Sequence, residues 1–127
     1  MTNVSDITEN DLIKKESPQK IKDSTVVNYL AIIDIIYKYN PKITVMPMQY
    51  PTLPIEHLKQ DLKKSKYYDN LVFISNEENF EQASKTHKKE KIFKDMFGGN
   101  FGHCTLYGNT LITENIIPKI LKLVRDQ

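Results

Sequence analysis

His103 and Cys104 stand side by side at the end of Phe97-Gly98-Gly99-Asn100-Phe101-Gly102, a stretch holding three of the chain's four glycines, with Gly108 just beyond. Glycine admits positive φ and close backbone approach. Imidazole is the side chain whose ordinary pKa suits proton transfer near neutrality. A histidine held on such a turn is a candidate general base, although backbone hydrogen bonding explains a turn histidine equally well. Thr105 follows as an N-cap for the next helix. Cys104 is the single cysteine. It excludes an internal disulfide and has no partner at ligand spacing, so no metal site is expected. It reads as a small buried residue beneath the turn. The glycines lack the Gly-Lys-Ser/Thr ending of a phosphate loop, and no cofactor is expected. His57 and His87 fall among lysines and read as solvent-exposed.

The elements that must position this turn follow from periodicity. Residues 1–22 form a polar lead-in. Asp23 or Ser24 opens a helix to about Tyr39, on which Val26, Leu30, Ile33 and Tyr37 share one face. Asn40-Pro41 ends it. Ile43 to Met46 and Leu71 to Ile74 read as buried strands. Between them a proline-rich loop leads into a helix over about 55–67 with Ile55, Leu58 and Leu62 inward. A charged helix over roughly 77–90 should lie outside. Ile92-Phe93 adds a short strand or extended segment, and a last helix starts near Leu106 and is kinked or split at Pro118. This alternation predicts an α/β three-layer sandwich on a short parallel sheet. Its strand ends would gather Gln49, Tyr50, Asn76 and the 98–103 turn on one rim as substrate-contacting loops. Two firm strands are few for such a sheet, so residues 23–127 read as part of a larger domain whose amino-terminal strands are missing.

The 27% charged residues nearly balance to a net +2, which gives no case for nucleic-acid binding. No apolar run reaches membrane-spanning length, since Tyr29 to Tyr37 is interrupted by Asp34. Met1 to Lys15 shows no signal-peptide pattern. The expectation is a soluble protein, cytoplasmic by default.

Two stretches resemble the SGNH hydrolases, the GDSL-type lipases and acyl-esterases. Asp95 to Thr105 together with Gly108-Asn109-Thr110-Leu111-Ile112-Thr113-Glu114-Asn115-Ile116 is similar to the family's final block. There a histidine, usually with an aspartate three residues earlier, opens the last helix. The resemblance implies that His103 is the general base and that Asn100 occupies the position of the catalytic acid. Thr8-Glu9-Asn10-Asp11-Leu12 resembles the family's Gly-x-Asn-Asp block, which would make residues 1–22 a remnant of the oxyanion loop and Asn10 an oxyanion donor. The fold implied is flavodoxin-like.

The chain departs from the family in three ways. The Gly-Asp-Ser block that supplies the nucleophile is missing, and no Gly-x-Ser-x-Gly elbow replaces it. The second block's oxyanion glycine is missing too, and Thr8 stands where the third block has glycine. Asn100 replaces the acid, and an amide cannot balance imidazolium charge; in serine proteases that exchange costs about 10⁴ in turnover. Asp95 would substitute only if the turn folds back, and no weight is placed on it. The expectation is therefore the carboxyl-terminal part of an ester or acyl hydrolase, inactive alone, with its serine outside these 127 residues. Its partner would be a small acylated substrate, and its exposed sheet edge could self-associate. The alternative is a non-catalytic α/β binding or interaction domain.

Overall fold

The computed structural model describes residues 6–13, 22–95 and 102–127. Helices dominate: α1 Asp23–Tyr39, α2 Ile55–Leu62, α3 Glu77–Ser84, α4 Lys89–Ile92 and α5 Leu106–Arg125, with 3₁₀ turns at Glu9–Asp11 and Tyr68–Asn70. The chain divides into two compact units, Met1–Lys15 with Asn76–Gln127, and Glu16–Ser75.

In the second unit α1 buries Val26, Ile33 and Tyr37, the face its periodicity marks. α2 buries Ile55, Leu58 and Leu62 against Ile33, Tyr37 and Leu71. The Tyr37 ring stacks on Tyr67 at 4.5 Å between centroids. Burying each large side chain contributes about 1.5–3 kcal/mol, so this cluster is what holds α1 to α2.

The expected parallel-sheet sandwich is not what forms. Residues 43–48 and 71–74 run beside each other, with Val72 N–H donating to the Val45 carbonyl at 3.0 Å and Ile74 N–H to the Pro47 carbonyl at 2.9 Å. They make one parallel bridge, Met48 to Ile74, and the other bridge, Phe93 to Cys104, is antiparallel. Among the described residues there is no sheet. Proline chemistry explains part of this. Pro47 accepts but has no N–H to extend the ladder, and Pro41 and Pro51 bracket the segment. Among the described residues there is therefore no strand-end rim to gather Gln49, Tyr50 and Asn76, and no sheet edge. Ile43 and Met48 of the first segment are exposed, against the expectation of a buried strand, and further exposed apolar side chains lie on helices, at Val27, Ile32 and Ile35 of α1 and at Ile117, Ile120, Leu121 and Val124 of α5.

In the first unit the expected charged helix over 77–90 is two helices. Near the end of α3 the Ser84 hydroxyl donates to the Glu81 carbonyl and the Thr86 hydroxyl to the Ala83 carbonyl. Such local bonds compete with helix continuation. α3 does not lie wholly outside, because Phe80 is fully buried and its ring lies 5.9 Å from that of Phe93. Asn76 joins α3 to α5, its Oδ1 accepting from Asn115 Nδ2 at 2.9 Å and Asn79 Nδ2 at 3.4 Å. Asn79 Nδ2 also donates to the Leu111 carbonyl at 3.0 Å. Pro118 sits inside α5 without splitting it. Glu114, whose carbonyl loses its partner to proline, is exposed to water. No helix among the described residues is long and apolar enough to cross a membrane.

Candidate acid–base site

The site is built from two short extended segments, 92–95 leaving α4 and 102–105 entering α5. Lys94 N–H donates to the His103 carbonyl at 2.7 Å and Thr105 N–H to the Ile92 carbonyl at 2.9 Å. With Phe93 bridged to Cys104, the antiparallel register sets Asp95 opposite Gly102 and diagonal to His103. The distance in sequence between acid and base is therefore spanned by pairing, not by helical spacing.

Two glycines make the pairing sterically feasible. A Cβ on Gly102 would overlap the Asp95 carbonyl and its carboxylate. A Cβ on Gly108 would overlap the Ile92 carbonyl and press on Cys104, whose Sγ would lie 3.2 Å away. Both glycines are needed for close approach of another backbone. Thr105 closes the clip from the helix side. Its hydroxyl donates to the Lys91 carbonyl at 2.6 Å, lies 3.1 Å from the Ile92 carbonyl, and accepts from Gly108 N–H at 3.1 Å as the N-cap of α5.

Asp95 then meets His103 at two points. Oδ1 accepts from the His103 backbone N–H at 2.6 Å, and Oδ2 lies 2.8 Å from the imidazole Nδ1. The hydrogen bond from the His103 side chain, then that from its amide, holds the Asp95 carboxyl below its ordinary pKa, with Lys94 adding to the effect. The pair is open to solvent, with the His103 side chain 71% and the Asp95 side chain 45% exposed.

The other sequence candidates do not all fall in the unit that holds His103. Asn100 lies outside the described residues. Asn10 is exposed in the middle of the 3₁₀ turn Glu9–Asp11, in the same unit as His103. Asn76 is also in that unit, but it is 2% exposed and engaged with Asn79 and Asn115. Gln49 and Tyr50 belong to the other unit and are half-buried, the Gln49 amide lying 3.3 Å from the Pro54 carbonyl. Cys104 is half-buried. His87 is half-buried against Tyr107, ring to ring at 4.7 Å, with its Nδ1 2.9 Å from the Thr86 hydroxyl. No group of three or more His, Cys, Asp or Glu among the described residues is placed to hold a metal ion.

Asp95 is the residue that sequence reasoning undervalued. The signal was present in the two apolar residues Ile92-Phe93 before it and in Gly102 before His103, which together read as a hairpin clip. No family model, curated protein or solved structure matches this chain.

Proposed function

We propose that this chain supplies the acid–base arm of an ester- or acyl-hydrolysis site of the SGNH/GDSL type. His103 is the general base, and Asp95 takes the part that the resemblance gave to position 100. The observation that carries the proposal is the two-point contact between the Asp95 carboxylate and His103, at 2.6 and 2.8 Å.

A carboxylate only accepts hydrogen bonds, so it selects the neutral tautomer with the proton on Nδ1. Nε2 then carries the lone pair that takes a proton from an attacking alcohol. As that proton moves, the carboxylate balances the imidazolium charge, which an asparagine could not do. Asn10 is the donor for the developing oxyanion. The nucleophilic hydroxyl comes from outside this chain. Ser84, in the same unit as His103, is 1% exposed and donates to the Glu81 carbonyl, so it is not available for attack.

In the isolated chain water takes the place of the nucleophilic hydroxyl, so the test is the slow, base-assisted hydrolysis of p-nitrophenyl acetate by the chain, by His103→Ala and by Asp95→Asn. The proposal expects both variants to be slower than the parent, most clearly where neutral imidazole predominates. Equal rates for parent and His103→Ala would remove the base.

A second reading, a non-catalytic binding or interaction module, is favoured by the exposed stripe Ile117, Ile120, Leu121 and Val124 on α5, each 44–62% exposed. Concentration-dependent sedimentation that Leu121→Glu abolishes, with no His103-dependent hydrolysis, would favour it over the first.

A further inference from the structure

We propose that Asp11 is a positioning residue: its two carboxylate oxygens clamp the Asn10 turn onto the first residue of α4, the helix that leads into Asp95. The inference rests on the acyl-hydrolysis reading and adds a residue to it.

The carboxylate faces three donors. Oδ2 accepts from the Thr8 backbone N–H and from the Thr8 hydroxyl, each at 2.9 Å, which closes the turn around Glu9 and Asn10. Oδ1 accepts from the Lys89 backbone N–H at 3.3 Å, across 78 residues of sequence. One oxygen therefore shapes the turn and the other attaches it.

The attachment point bears on the site. Lys89 opens α4, α4 ends at Ile92, and Ile92 and Lys94 make the backbone bonds that set the Asp95–His103 register. Asn10, between the two residues that shape the turn, is thus tied to the acid–base pair through a single short element. The Thr8 hydrogen bonds hold the Asp11 carboxyl below its ordinary pKa, and the Lys89 amide and the Lys88 charge add to this. The group is an anion under the conditions where the clamp must act.

The chemistry demands a carboxylate. An asparagine at position 11 offers one acceptor oxygen and turns its NH₂ toward either the Thr8 donors or the Lys89 donor. Donor then faces donor, and one arm of the clamp is lost.

The experiment is NMR and kinetics on the full chain. In the parent, the Thr8 and Lys89 amide protons should both titrate with the Asp11 carboxyl, with a midpoint below the ordinary aspartate value. In Asp11→Asn both titrations vanish and exchange at the Lys89 amide rises about tenfold, while the Asp95 titration is unchanged. In p-nitrophenyl acetate hydrolysis Asp11→Asn and Asn10→Ala each slow the reaction, and the double variant is no slower than the worse single one, as expected for residues acting through one another. A Lys89 amide blind to Asp11, or fully additive rate effects, would overturn the inference. Hydrolysis that ignores His103 while the Lys89 titration persists would instead remove the site and leave the clamp, so the two failures read differently.

Discussion

Gly102→Ala is the substitution that most sharply separates a designed contact from a fortuitous one. The added Cβ falls on the Asp95 carbonyl as well as on its carboxylate. A side chain could swing away, but the carbonyl is held by the pairing that joins 92–95 to 102–105, so the clip itself must open. Overpacking of this kind costs about 1–3 kcal/mol. At roughly 4 °C per kcal/mol for a chain of this length, the melting temperature should fall by roughly 4–12 °C. The second consequence is specific. With His103 displaced, Asp95 loses the side-chain and amide hydrogen bonds that hold its carboxyl down, and its titration midpoint should climb back to that of an ordinary aspartate. Calorimetry reads the first effect and carbon-detected titration of the Asp95 carboxyl reads the second. A variant that melts like the parent and keeps a depressed Asp95 midpoint would refute the register on which the site depends.

Thr105→Ala removes the N-cap acceptor of α5 together with the hydroxyl bonds to the Lys91 and Ile92 carbonyls. It should cost about 1 kcal/mol by urea titration, with Thr105→Ser recovering most of it. Phe80→Ala empties a fully buried position beside Phe93 and should cost about 3–5 kcal/mol by the same measurement. Acid should destabilise the fold with a definite sign. Asp95 and Asp11 both have folded-state pKa values below their ordinary ones. Their contribution is complete above the unfolded value of about 4 and is lost as pH falls through the folded values. Melting temperatures should fall below about pH 4, and Asp95→Asn should show a shallower fall.

What the sequence made legible, and what it did not, follows the range of the interactions. α1 and the inner face of α2 were readable because Val26, Ile33 and Tyr37, and Ile55, Leu58 and Leu62, are set by helical period alone. The start of α5 was readable because Thr105 is a local cap. The sheet was not. Ile43 to Met46 and Leu71 to Ile74 have strand composition, but a ladder needs donors and acceptors in register from distant segments, and here it stops at one bridge beside Pro47. The break between α3 and α4 was missed because it rests on the small hydroxyls of Ser84 and Thr86 rather than on a glycine or proline. Asn76 was expected on a substrate-contacting loop, yet it is buried among its partners Asn79 and Asn115, one of them 39 residues away. Asp95 was undervalued for the same kind of reason. Its distance from His103 fits no helical or turn spacing, and only the pairing of Phe93 with Cys104 brings the two together.

The tautomer of His103 tests the central claim most directly. Two-dimensional nitrogen–proton correlation of the neutral imidazole distinguishes a proton on Nδ1 from one on Nε2. An Asp95 carboxylate 2.8 Å from Nδ1 predicts the proton on Nδ1 in the parent chain and its redistribution toward Nε2 in Asp95→Ala. A proton on Nε2 in both proteins would mean that Asp95 does not hold the ring, and the acid–base pair would be lost with it.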